Sequence, residues 1–240
     1  MRLSEYDLLE LWAVAETQHP IDRALSALSL GSGVGRGALA ELPLGERDRR
    51  LFALYRTLAG AGIAAIVRCP SCGEATELAV SVDDLCSRCD AVAPREIVVE
   101  HAGVAVHCRQ PTSRDLAAAA LAEDETAART GLIRAAVISA RAGEVELAPD
   151  ELDGDVIARI EDALGEMTPP AEILLGVTCP GCAMAWSAPF DIGDVVWTAA
   201  ELAARRAMDA VVELGRAYGW TEDVVLTLPP ARRRYYQEHA

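Results

Sequence analysis

The chain has 240 residues, 37 of them Asp or Glu and 22 Lys or Arg, for a formal charge of −15 at pH 7. Such a surplus of carboxylates repels phosphate backbones, and no long basic stripe offsets it, which excludes a general nucleic-acid binder. With 51% hydrophobic and 5% aromatic residues, the chain can bury an ordinary core without disulfide staples, and its many alanines favour helices over an all-β sandwich.

Ser4 is a candidate N-cap for a first helix carrying Leu8, Leu9, Leu11 and Trp12, which stops near His19-Pro20. A second starts at Pro20, with Ile21, Ala24, Leu25 and Leu28 at helical spacing. Gly31 to Gly37 follows a helix instead of a strand, so it reads as a flexible linker and not as a dinucleotide loop. A third helix runs from about Gly45 through Arg56, with Leu51, Leu54, Tyr55 and Leu58 on its apolar face.

Beyond Gly62 the period shortens. Ile63 to Val67 and Thr76 to Val80 read as strands around Cys69-Pro70-Ser71-Cys72-Gly73. Ile97 to His101 and Val104 to Arg109 form another expected hairpin about Ala102-Gly103. Helices are expected from Thr112 or Ser113, across Glu125 to Arg141, and from about Asp153 to Met167, where Pro169-Pro170 ends the run. Ile173 to Thr178 and Trp186 to Phe190 are strands around Cys179-Pro180-Gly181-Cys182-Ala183. A long helix from about Asp194 to Tyr218 stops at Gly219, Thr221 restarts a short one, and Pro230 opens the last. The fold class is therefore α+β, mostly α-helical, with zinc-ribbon-like β hairpins joined by a long helical insertion and helices at both termini. Residues 1–60, 61–190 and 191–240 form the three expected regions, able to pack as one compact unit.

The N-terminus carries early carboxylates and lacks a signal-like apolar stretch, and Arg134 and Arg141 interrupt the apolar run from Gly131 to Ala142. The expected setting is the cytoplasm, without a membrane partner. Seven cysteines in a reducing compartment point away from disulfides, and six fall in Cys-x-x-Cys pairs.

The two Cys-Pro-x-Cys segments align at an offset of 110 residues. Val67 to Gly73 matches Val177 to Ala183, and Val82 and Asp84 fall on Ile192 and Asp194. Two intervening residues let both thiolates reach one tetrahedral Zn2+, and the small residue that follows gives the knuckle room to turn. One knuckle supplies two ligands, so two must meet to close a structural site. Cys86 and Cys89 offer a rival: with Cys69 and Cys72 they make a local set with thirteen residues between its pairs. The composite set Cys69, Cys72, Cys179 and Cys182 is favoured, because Cys86-Ser87-Arg88-Cys89-Asp90 lacks the proline and the small following residue.

A zinc deaminase would need His-x-Glu and Pro-Cys-x-x-Cys, neither of which occurs. Catalytic zinc keeps an open position and usually recruits histidine, yet His19, His101, His107 and His239 all lie outside the knuckles. A redox pair belongs at a helix N-terminus, whereas these sit between strands. Cys108 reads as a small buried hydrophobe, and Trp186, Trp197 and Trp220 as packing residues. Arg47, Arg49, Arg50 and Arg232 to Arg234 read as small basic patches open to a partner.

Several segments in order resemble the T4-type baseplate hub assembly chaperone family of phage tails and phage-tail-like contractile injection systems. They are Leu42 to Asp48, the two Cys-Pro-x-Cys knuckles, Arg109 to Leu116, Trp186 to Ile192, and Ala217 to Glu222 with Arg232 to Tyr235. The resemblance is strongest after Ile173 and weakest between Arg129 and Met167, and Cys86 and Cys89 depart from the pattern. It implies a non-enzymatic assembly factor acting on baseplate hub or spike-associated tail proteins, with both knuckles in the metal site. The alternatives are a structural baseplate subunit retained in the particle, or a zinc or thiol redox protein.

Overall fold

The computed structural model describes residues 2–86, 94–167 and 173–240, with Cys86 described by its backbone alone. The fold is α+β and mostly helical. Helix α1 (Glu5–Ala15) begins in a reciprocal capping box: the Asp7 N–H donates to Ser4 Oγ (3.2 Å) and the Ser4 N–H to Asp7 Oδ2 (2.7 Å). Helix α2 (Pro20–Ser32) starts on proline at its first position, where the missing N–H costs nothing.

The glycine-rich stretch after it is not the expected linker. Helix α2 runs on to Ser32 and closes on Gly33 at φ +70°, whose N–H returns to the Ser29 carbonyl (2.8 Å). Gly35 then opens α3 (Arg36–Ala40), which is anchored by the fully buried Leu39. The glycines serve as cap residues of two abutting helices, so the segment is a tight corner.

Helix α4 (Leu44–Ala59) is followed by a hairpin of β1 (Gly62–Arg68) and β2 (Ala75–Ser81) and by the short α5 (Val82–Cys86). Strands β3 (Glu96–His101) and β4 (Val104–Arg109) meet at Ala102 (φ +50°) and Gly103 (φ +79°), the two positive φ values of a tight two-residue hairpin. Helix α6 (Ser113–Ala119) and helix α7 (Glu125–Ala136) come next.

The expected helix to Arg141 ends five residues early. Val137–Ala142 is strand β5, which pairs with β4 across a register shift at His107/Cys108 and then with β6 (Val145–Leu147). The β-branched Val137-Ile138 suits a pleat, and Gly143 at φ +63° supplies the reversal, so the sheet takes residues whose apolar run also fits a helix. The sheet order is β3-β4-β5-β6. Helix α8 (Gly154–Met167) packs with α7 on one face, where Val106, Cys108, Ile133, Ala140, Ile160 and Leu164 are buried together. Cys108 is the small core residue expected, and burial pushes its thiol up to about 11. Pro169-Pro170 lies outside the described residues.

A second hairpin, β7 (Ile173–Thr178) and β8 (Ala185–Phe190), leads into α9 (Ile192–Tyr218). Helix α9 spans two cores. Its first half places Val196, Trp197, Ala200 and Ala204 against Leu11, Leu28, Leu51, Phe52 and Leu54 of α1, α2 and α4. The approach is close at Gly193, where a Cβ would lie 3.3 Å from that of Ala24. Its second half carries Ala210 and Leu214 against Val225 of α10 (Glu222–Thr227), beneath α11 (Pro230–Gln237). Among the described residues, no helix is long and apolar enough to cross a membrane.

Candidate metal centre

The two hairpins repeat one another in register as well as in sequence. Ile63 pairs with Val80 and Arg68 with Ala75; 110 residues on, Ile173 pairs with Phe190 and Thr178 with Ala185. In each knuckle the first cysteine's N–H closes the loop onto the residue five positions on, Cys69 to Glu74 (2.9 Å) and Cys179 to Met184 (2.8 Å). The residue after the second cysteine donates back, Gly73 to the Cys69 carbonyl (2.9 Å) and Ala183 to that of Cys179 (3.0 Å). That turn requires the left-handed region, and both residues adopt it, Gly73 at φ +76° and Ala183 at φ +58°.

The correspondence continues into the helices. Ser81 Oγ accepts the Asp83 N–H (3.1 Å) at the start of α5, and Asp191 Oδ1 accepts the Gly193 N–H (2.6 Å) at the start of α9. Val82 and Ile192, the next residues, are buried in one core. Each repeat is thus a hairpin, a knuckle and a capped helix start.

The two knuckles meet. Cys69, Cys72, Cys179 and Cys182 present four sulfurs within 4.8 Å of one another. Two pairs cross between repeats: Cys69 Sγ to Cys182 Sγ is 3.7 Å and Cys72 Sγ to Cys179 Sγ is 3.6 Å. Those pairs interchange when one repeat is swapped for the other, so the site has a local pseudo-twofold. Sulfurs about 2.3 Å from a tetrahedral ion lie roughly 3.8 Å apart, so the two crossing pairs have the spacing of tetrahedral metal ligands. In each knuckle the first cysteine is buried and the second exposed.

The electrostatics favour a cation as well. The backbone N–H of Cys72 donates to the Cys69 sulfur and, against the opposing effect of burial and with help from Ser71 and the facing thiols, lowers Cys69 to about 7. At Cys72 the backbone N–H of Glu74 favours the thiolate. The neighbouring thiols of Cys179, Cys182 and Cys69, together with burial, outweigh it and push Cys72 to about 12. The first proton leaves easily and the next is held, as expected where several thiolates share a small volume without a counter-charge. A divalent cation relieves that repulsion, and its binding releases the remaining protons.

The four cysteines of the composite set therefore come together and can hold a metal ion. The Cys86 side chain and Cys89 lie outside the described residues. His19 caps α2, His107 pairs with Glu96 (2.9 Å), and His239 stacks on Tyr235.

The basic patches expected at the helix ends are only partly open. Arg47 is buried against Asp48 (2.6 Å), and Arg233 is buried against Glu5 (2.7 Å); Arg49 and Arg50 both pair with Glu46. Burial raises Asp48 to about 6 despite the adjoining Arg47 guanidinium, with Asp191 adding to the rise. Sequence reading missed this joint, where Leu44 N–H bonds the Pro111 carbonyl (2.9 Å) and Pro43 bridges to Thr112. Nothing local in either segment signals the other.

Comparison of the chain with protein-family models, curated proteins and solved structures finds no match.

Proposed function

We propose that the chain is a non-enzymatic assembly factor for the baseplate hub of a phage tail or contractile injection system, stabilised by a structural zinc ribbon. Cys69, Cys72, Cys179 and Cys182 are the ligands of one Zn2+. The observation that carries the reading is that the segments resembling the hub assembly chaperones, scattered along the chain, meet in space. The knuckles close on each other. Leu44, in the first matching segment, hydrogen-bonds Pro111 in another. Tyr218 and Trp220 lie against Tyr236, beside the Arg232 to Tyr235 segment. The motifs are thus structural joints of one scaffold. Four thiolates also fill a tetrahedron without leaving a position for water or substrate, which favours a structural over a catalytic ion. Zinc suits a fixed joint because it is redox-inert, although a sulfur tetrahedron also accommodates iron.

Metal analysis of the purified chain is expected to give one zinc per chain; stoichiometric iron with visible thiolate absorption overturns the zinc assignment. Co-purification from cells carrying a complete tail cluster is expected to recover hub or spike-associated proteins. Repeated recovery of the chain with no tail protein rejects the assembly role. Protein identification in finished particles separates a transient factor, absent from them, from a retained subunit.

A further inference from the structure

We propose that the outer face of α11, centred on Tyr235, is a docking surface for an acidic segment of a partner protein. The partner's identity as a tail protein rests on the assembly reading above; its chemistry rests on the charges and rings of this face.

All 22 basic residues of the chain are arginines. Among the described residues, twelve hold a carboxylate in an ion pair, as expected where acids outnumber bases. Arg232 and Arg234 are among those that do not: both are exposed, neither guanidinium has a partner among the described residues, and they lie two residues apart on one short helix. They flank Tyr235, which is 59% exposed. Arg232, Tyr235 and His239 are spaced three and four apart and share one stripe of the helix, with Arg234 on the other flank of the tyrosine. Glu238 is the one acidic side chain in residues 230–240, and it forms an ion pair with neither arginine.

The face is held rigidly from behind. Arg233 points inward to Glu5 (2.7 Å) and to the carbonyls of Leu226 (3.4 Å) and Leu228 (3.3 Å), tying α11 to α1 and α10. The Tyr235 ring stacks on His239 (4.3 Å between centroids) and meets Tyr236 edge-on (5.9 Å). Tyr236 in turn contacts Trp220 (4.8 Å), and Trp220 contacts Tyr218 (4.9 Å). A pre-ordered tyrosine between two free guanidinium forks is the composition on which protein interfaces concentrate their binding energy. Each fork matches a carboxylate in two parallel hydrogen bonds.

The sign and size of the occupant follow from the charge distribution. Burying Arg232 and Arg234 under an apolar partner would leave two unpaired cations, which is costly. A long polyanion would approach a molecule of net charge −15 and be repelled over most of its length. A short acidic segment lies within about 8 Å of the guanidinium groups, inside the screening length at physiological salt, and avoids the rest of the surface.

The test uses the full metal-loaded chain and a short fluorescein-labelled peptide of Asp, Glu and Leu, followed by fluorescence anisotropy. A saturable rise is expected, weakening with added salt. The Arg232→Gln/Arg234→Gln variant is expected to bind at least roughly tenfold more weakly, and Tyr235→Ala also more weakly, with circular dichroism and metal content unchanged. Arg206→Gln, which removes an exposed arginine from α9, is expected to leave binding intact. The proposal is overturned by no saturable rise, equal binding by the double variant, equal binding of a Gln, Asn and Leu control peptide, or tighter binding of oligo-dT. Self-association in sedimentation that the double variant abolishes also overturns it, by showing a second copy as the occupant. Tail proteins that still co-purify with the double variant reject this surface and spare the assembly role. Acidic-peptide binding by a chain that recovers no tail protein does the reverse.

Discussion

From Ile63 to Val82 and from Ile173 to Ile192, the two repeats share strand register, knuckle hydrogen bonds, positive φ after the second cysteine, and a side-chain cap on the N–H of the second helical residue. Beyond that point they part. Helix α5 has 5 residues and α9 has 27. The shared part is set by local chemistry, since a knuckle and a cap need only a few side chains at fixed spacing. The divergent part is set by what each helix can bury. Helix α9 offers Val196, Ala200, Ala204, Ala207, Ala210 and Leu214 at steps of three and four, all buried, whereas the sequence after Leu85 has no such run. Each repeat supplies half of the cysteine cluster, and the second also extends into a strut through two cores.

If the site belongs equally to both repeats, removing either knuckle has the same effect. Cys69→Ser/Cys72→Ser and Cys179→Ser/Cys182→Ser are each expected to abolish metal binding and lower the thermal midpoint by tens of degrees. Apparent zinc-binding energies of about 10 to 16 kcal/mol in small modules are coupled to folding. Cys86→Ser/Cys89→Ser is expected to leave metal content at the wild-type value. Metal lost in this last variant and kept without Cys179 and Cys182 would break the pairing of the repeats. The next largest effect lies where both repeats enter the same core. Ile192→Ala is expected to cost about 3 kcal/mol and Val82→Ala about 2 kcal/mol in denaturant unfolding, because each leaves a cavity where a fully packed branched side chain stood. A loss confined to Ile192 would show that only the second repeat bears on that core.

Much of this was legible in the sequence because its causes are local. The knuckles, their hairpins, the composite ligand set, the Ser4 cap and the Gly219 stop all follow from residue types at short fixed spacing. What could not be read depends on distant partners. Val137 to Ala142 is apolar enough for a helix, and only the neighbouring β4 decides for a strand. Arg47 and Arg50 look alike in sequence, yet one is buried beside Asp48 and Ser113 while the other pairs with Glu46 on the surface. Gly33 and Gly35 resemble a linker until Leu39 is seen to be buried.

The turn after each second cysteine sharpens the comparison, since the same conformation is occupied by glycine in one repeat and alanine in the other. At Gly73 an added Cβ would meet nothing within 4 Å, so the cost of Gly73→Ala is that of the backbone alone, about 1 kcal/mol. Ala183→Gly relieves the same strain while adding chain entropy to the unfolded state, and the balance is a gain of about 0.5 kcal/mol. Opposite signs in denaturant unfolding are expected; equal signs would mean that the two knuckles are not equivalent in the folded chain.

The smallest expected effect concerns Asp194, an exposed carboxyl whose counterpart 110 residues earlier is Asp84. In the first turn of α9, Asp194 gains from the helix dipole, yet burial first and the nearby Asp191 second raise its pKa above 3.8, with Arg23 pulling the other way. The folded chain therefore holds this proton to higher pH than the unfolded chain does. Its contribution to stability is greatest when the carboxyl is protonated, declines as pH rises from 3.8 through the folded value, and stays low above it. Asp194→Asn is accordingly expected to raise the thermal midpoint slightly at neutral pH, by less than the turn substitutions, and to lose that advantage in acid where the wild-type carboxyl is already neutral. A loss of stability in Asp194→Asn at neutral pH would show that the dipole outweighs burial, making the long helix of the second repeat depend on a charge at its start.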